Sequence, residues 1–394
     1  MTGALSPLEV ASGLVFGFAA PEELPQALEV GTPLEALERA ILPALLRPPC
    51  LVSFSGGRDS STILAAAVRL ARREGLELPV PATNRFPVAE GSQETEWQEQ
   101  VVIHLGLTDW VRFEFTDELD NVGPVAARVL LHHGLLWPFN AHFHAPLLDE
   151  AFGGSLLTGV GGDEALGIPR WARAAAVLSG RAQLRPRDIL ALGLAFSPPF
   201  VRRAVLSRRD PVLLPWLRPA AQREVWSQWV AGTAGQPVRW ERRFAWWRGT
   251  RYLKVGMESL ARLACDLRVE VHHPFVDACF SAAIAALPAE DRFLNRTQAM
   301  RSLFGDLLPE ELLSRRTKSA FDEAFWSTHS RAFAAGWDGR GVDEELIDPV
   351  ALKRLWDGPA PDARTFLLLQ SLWLVEQRAG LPARELEQAV GGVG

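Results

Sequence analysis

Two short glycine-rich runs carry the residues best suited to chemistry. They are Ser55-Gly56-Gly57-Arg58-Asp59-Ser60-Ser61 and Thr158-Gly159-Val160-Gly161-Gly162-Asp163-Glu164. Glycines let the backbone come close to an anion. Serine hydroxyls add donors, and free amides at the start of a helix favour phosphate. A carboxylate in such a loop repels phosphate unless it faces a metal ion or a backbone amide, so Asp59 points to a magnesium-bridged nucleotide. Asp163 and Glu164 are hard oxygen donors suited to magnesium, which shares the rest of its shell with phosphate oxygens. Taken singly, each run also reads as a polar turn whose Ser60 or Asp163 caps the next helix. Neither is a Walker loop or a dinucleotide fingerprint: no Lys-Ser/Thr pair follows the glycines of the first run, and the spacing is not G-x-G-x-x-G.

Both runs follow strand-like segments. Cys50 to Phe54 is a short apolar run suited to a buried parallel strand, and Thr62 to Glu74 has helical spacing ending at Gly75. Pro79 to Thr83, Trp110 to Phe115 and Ser155 to Thr158 read as further strands. Glu94 to Leu105 and Val122 to His133 read as helices. This alternation predicts an α/β fold with a doubly wound, mainly parallel sheet. Both glycine runs should then lie at the carboxyl edge of the sheet, where ligands bind. Upstream, Leu34 to Leu46 is a helical pattern that Pro43 should kink or shorten, and Gly13 to Ala20 reads as a buried strand. Beyond Trp171 the strand signal fades into arginine- and tryptophan-rich helices, broken at Ser197 to Pro199 and Pro211 to Pro219. The expected organisation is an N-terminal extension over 1–33, a nucleotide-binding core over 34–170, a large helical subdomain over 171–335 that completes the site, and a helical tail over 336–394.

Bulk properties narrow the function classes. Over 394 residues the hydrophobic content is 48% and the charged content 22%, as in a folded globular protein. A net charge of -6 gives no electrostatic footprint for nonspecific nucleic-acid binding. No apolar run approaches the roughly 20 residues of a membrane helix, and the start makes a poor signal peptide, so a cytoplasmic protein with no membrane partner is expected. Cys50, Cys265 and Cys279 lack metal spacing and read as reduced thiols. Basic charge is nearly all arginine. Lys254, Lys318 and Lys353 are the only lysines, and Tyr252 is the only tyrosine. His132, His133, His142 and His144 show no acidic partner spacing and read as core or helix-face residues. The tryptophans at 226, 229, 240, 246 and 247 read as core rather than as a substrate cleft.

Together, S-G-G-x-D-S-S and G-x-G-G-D-E about 100 residues later resemble the asparagine synthetase family, within the PP-loop ATP pyrophosphatases. Three further blocks resemble that family: Glu94 to Gly106, Val269 to Asp277, and Leu308 to Phe321. The resemblance implies a fold like that of the adenine nucleotide alpha hydrolases. It also implies ATP and Mg2+ as cofactors, with adenylation of a carboxylate, release of pyrophosphate, and capture of the adenylate by an amine. It places Ser55, Gly56, Gly57, Asp59, Ser60, Gly161 and Gly162 on the nucleotide, and Asp59, Asp163 and Glu164 on the metal. Glu270 would stand near the adenylate or the incoming amine, with Arg316 and Lys318 on the phosphates; taken singly, Glu270 also reads as an exposed strand-end carboxylate and Lys318 as a solvated surface charge.

Departures from the pattern shape the expectation. Residue 2 is Thr2 and no cysteine precedes Cys50, so glutamine hydrolysis by this chain is not expected; ammonia would come from a separate amidotransferase, or another amine would be used. His272 stands where the pattern has arginine and Val160 where it often has glutamate, which turns the reading away from aspartate as substrate. Among relatives, β-lactam synthetase and the lasso-peptide cyclases close amide rings. The expected function is therefore amide formation on a specialised metabolite or peptide, from small-molecule or peptide carboxylate and amine substrates, alongside a biosynthetic partner protein. The alternatives are an ammonia-dependent asparagine synthetase-like enzyme, a PP-loop enzyme acting on tRNA, and a non-catalytic partner subunit.

Overall fold

A computed structural model describes residues 4–19, 23–26, 30–87, 94–168, 170–209, 213–315 and 322–380. Five strands form one sheet: β1 (Cys50–Ser53), β2 (Val80–Arg85), β3 (Val111–Glu114), β4 (Ser155–Leu157) and β5 (Glu270–His272). All pairings are parallel, in the order β3-β2-β1-β4-β5. From β1 the chain builds outward through β2 and β3, then returns to place β4 on the other side of β1. The order therefore reverses between β1 and β4. The crevice at such a switch point, beyond the carboxyl ends of the strands, is where open α/β sheets bind ligands.

Side-chain alternation splits the sheet between two cores. Val52 and Leu157 face α2 (Pro33–Leu45), α3 (Arg58–Glu74) and α14 (Ala278–Ala285), while Leu51 and Leu156 face α5 (Pro124–His133), α6 (Ala145–Glu150) and α13 (Arg251–Cys265). In chain order the remaining helices up to residue 304 are α1 (Pro7–Ser12), α4 (Thr95–His104), α7 (Gly162–Ala165), α8 (Ala172–Leu178), α9 (Pro186–Phe196), α10 (Pro199–Leu206), α11 (Pro219–Gly235), α12 (Trp240–Arg248) and α15 (Arg296–Phe304). A separate core around Trp216 and Phe366 joins α1 to the helices Pro349–Trp356 and Phe366–Gly380. No described helix is long and apolar enough to cross a membrane.

Several expectations are revised. The segment 13–19 is not a strand and makes one bridge, Phe18 to Thr250. The order before it comes from α1, which Ser6 and Glu9 close with reciprocal capping bonds around Pro7. The helix α2 runs through Pro43 to Leu45. α3 begins four residues earlier than its apolar pattern suggests, with the extended Gly57 as its N-cap. Finally, β5 comes from the segment read as helical. Its three residues, Glu-Val-His, contain no apolar run to announce a strand.

Candidate active site

β1 is buried and short, so its end delivers Ser55–Gly57 straight into α3. Gly57 makes no side-chain cap, and the first helical backbone bond runs from Ser61 N–H to Gly57 O at 3.0 Å. The amides of Arg58, Asp59 and Ser60 therefore have no helical acceptor, at the positive end of a 17-residue helix. Ser60 is not the cap. Its Oγ donates to Gly57 O at 3.1 Å, accepts from Ser55 N–H at 3.2 Å and lies 3.2 Å from Ser55 Oγ. The first loop is thus a closed cup of amides and hydroxyls.

The second loop leaves β4 next door and touches the first. A Cβ on Gly162 would fall 2.4 Å from Asp59 Cγ, and one on Gly159 would fall 3.1 Å from Ser60 N. Only glycine fits at 162 without displacing Asp59. Gly161 has φ +89°, a left-handed conformation that starts the short helix α7. Asp59 and Asp163 converge on one guanidinium. Arg296 Nη2 donates to both Asp59 carboxylate oxygens at 2.5 Å, and Nη1 donates to Asp163. One cation thus already reaches both carboxylates, and two carboxylates beside a cup of amides and hydroxyls are the donors a magnesium ion accepts. Asp59 and Asp163 fit that ion.

Glu164, the other residue expected on the metal, is exposed and turned to Tyr252 on α13. Tyr252 Oη donates to Glu164 Oε1 at 3.3 Å and accepts from Trp247 Nε1 at 3.0 Å. Burial, and then the Glu164 carboxylate, push the phenol above its ordinary range, so it stays protonated.

A second arginine fixes the first loop from behind. Arg315 Nη1 donates to Gly56 O and to Glu94 Oε2, each at 3.0 Å. Its other nitrogen also pairs with Glu94, and its guanidinium lies 4.9 Å from the Trp97 ring. Both ion-pair partners are buried. Arg58 Nη1 reaches Thr297 Oγ1 at 3.4 Å. Residues more than 200 positions away in sequence thus wall the loop.

Of the expected site residues, the structure brings Ser55, Gly56, Gly57, Asp59, Ser60, Gly161, Gly162, Asp163 and Glu164 into one place. Arg316 and Lys318 lie outside the described residues. Glu270 is elsewhere: it opens β5, level with Ser155 and Cys50 at the amino rim, and pairs with Arg47. Parallel register separates it from the loops by the length of the strands. The sequence reading missed Arg296 and Arg315, since an arginine in an arginine-rich chain carries no local mark of a contact across the fold. It also found no acid for His132 and His133, whereas Asp266 lies 2.7 Å from His132 Nε2 and 3.7 Å from His133 Nε2. That group is on the surface near the end of α13, away from the loops.

Beneath the second loop, His273 Nδ1 lies 2.6 Å from Thr158 Oγ1. Burial, then the neighbouring His144 and His272, pull His273 down to about 4; burial does the same to His144. Both are neutral at pH 7.

No curated protein matches the chain in sequence. The family model described as asparagine synthase matches residues 35–381, a span that contains both glycine loops, Arg296 and Arg315, and the chain belongs to that family of ATP-dependent amide ligases.

Proposed function

We propose that the protein adenylates a substrate carboxylate with ATP, releases pyrophosphate, and passes the acyl group to an amine, forming an amide on a specialised metabolite or peptide. The observation that carries this reading is the contact of the two loops at the switch point, Gly162 against Asp59. It gives one nucleotide a phosphate cup and a pair of carboxylates.

The free amides of α3 and the hydroxyls of Ser55 and Ser60 would bind the outgoing pyrophosphate. Asp59 and Asp163 would hold the magnesium ion, which neutralises phosphate charge when bound. Arg296 leaves the carboxylates and, from the first turn of α15, meets phosphate oxygens instead. Arg315 keeps the cup in shape through Gly56 O, and Arg316 and Lys318, one and three residues further on, would be further cations for the phosphates. Glu164 takes the proton of the attacking amine at its carboxylate, oriented by the phenol of Tyr252. Glu270, at the other rim, has no part in this scheme.

The test is to supply ATP, magnesium, a panel of carboxylic acids and hydroxylamine, and to follow the nucleotide product. AMP and pyrophosphate with a hydroxamate are expected. ADP and inorganic phosphate would contradict the mechanism.

A further inference from the structure

A cavity of about 520 Å³ lies among α8, α9, α12 and residues 292–294, a volume in the range that ligand sites occupy. Trp171, Phe196, Trp240 and Phe293 give it apolar walls. Its charged lining is four arginines, at 181, 239, 243 and 292, against the single Glu241. Some of this charge is committed. Arg292 Nη2 donates to Glu241 at 2.6 Å, and Arg181 donates to the Arg292 carbonyl. Two groups are not. Arg239 is exposed, with no hydrogen-bond or ion-pair partner among the described residues, and Arg243 Nη1 is buried with none there. Arg243 Nη1 is enclosed, its guanidinium lying over the Trp240 and Phe244 rings, so Arg239 is the group open to an arriving anion.

The cavity borders the reaction centre. Arg243 Nη2 donates to the carbonyls of Glu164, Ala165 and Gly167, closing the end of α7. Leu294 lines the cavity, and Arg296, two residues or at most ~7 Å of chain further on, bonds Asp59 and Asp163. Apolar surface continues past the mouth. Ile189 and Phe196 are two turns apart on one face of α9, 60% and 56% exposed, and Leu190 is 84% exposed. A ligand filling only the cavity would leave that stripe uncovered, whereas an extended chain would cover it.

We propose that this cavity and stripe bind an acidic peptide segment, with an apolar side chain in the cavity and a carboxylate on Arg239, in the positive field of the neighbouring arginines. The proposal rests on the ligase reading and deepens it by naming the substrate class. The probe is a fluorescein-labelled peptide alternating phenylalanine and aspartate, followed by anisotropy with the full-length protein and no ATP. Saturable binding is expected. Arg239→Glu, at an exposed position whose side chain makes no cap bond to α12, and Ala175→Trp, which fills the cavity, should each weaken it at least ~10-fold. The same peptide with asparagine for aspartate should bind at least ~10-fold more weakly. Absence of binding, equal binding by Arg239→Glu, or equal binding of the asparagine peptide would overturn the proposal. Asp59→Asn should still bind the peptide, so docking is read independently of adenylation: a protein that binds it but forms no AMP with any acid keeps the docking site and loses the ligase reading.

Discussion

At the carboxyl rim of the sheet Arg296 sits between Asp59 and Asp163; at the amino rim Arg47 sits against Glu270. Both are arginine–carboxylate groupings, and Glu270 is as exposed as Asp163. What differs is the direction of the surrounding elements. Parallel strands joined by helices put helix starts at the carboxyl rim, and with them the free amides of α3. The amino rim receives helix ends. Arg47 follows the last turn of α2, where a cation is favoured and an anion is not. The same residue types therefore stand beside free helix amides in the proposed nucleotide site on one rim and form a solvated ion pair on the other.

Substitutions should separate the rims sharply. Asp59→Asn and Asp163→Asn should each lower the ATP–pyrophosphate exchange rate by at least ~100-fold, the loss typical of removing one electrostatic contact to the reacting charge. Glu270→Gln should change that rate less than ~3-fold and stability by under ~1 kcal/mol, as for an exposed pair. An exchange rate that collapses in Glu270→Gln would erase the contrast.

The next effect concerns the support of the cup. Glu94→Gln removes the buried carboxylate that faces Arg315 and should cost about 3 kcal/mol in urea unfolding, as breaking a buried pair does. A cost near that of Glu270→Gln would mean that burial does not distinguish the two pairs.

A further effect is in pH. His273 has a folded value of about 4, below its ordinary 6.5. Between these values the unfolded chain binds a proton that the folded one does not, so stability is intact above about 6.5 and falls as pH drops towards 4. The loss is on the order of 3 kcal/mol for one such histidine. His273→Gln should flatten the fall in melting temperature over that window, while His132→Gln, at an exposed site, should leave it in place. Identical profiles for His273→Gln and the parent would remove the second loop's histidines from the acid response.

Much of the carboxyl rim was legible because strand, turn and helix signals are local. Cys50 to Phe54 is a buried run, the glycines mark turns, and the apolar spacing after Thr62 marks a helix. Its true start at Arg58 was hidden, because Ser60 is also a good cap by type. The parallel doubly wound sheet followed from alternation, but β5 did not: Glu270 also reads as a strand end, yet Glu270 to His272 is too short and too polar to mark a strand of the sheet. That one strand decides which rim Glu270 occupies. Arg296 and Arg315 contact residues 237 and 221 positions away, and no periodicity records such contacts. Tyr252 was noticed for its rarity, but its partner Glu164 became visible only when α13 and α7 were placed together.

The most direct measurement of whether the two loops serve one nucleotide is a double-mutant cycle on Mg2+·ATP affinity, by calorimetry, with Asp59→Ala, Asp163→Ala and the pair. Carboxylates sharing one ion should couple by at least ~1 kcal/mol, with the double variant losing less than the sum of the singles. Losses that add to within ~0.5 kcal/mol would mean that the loops act on separate ligands.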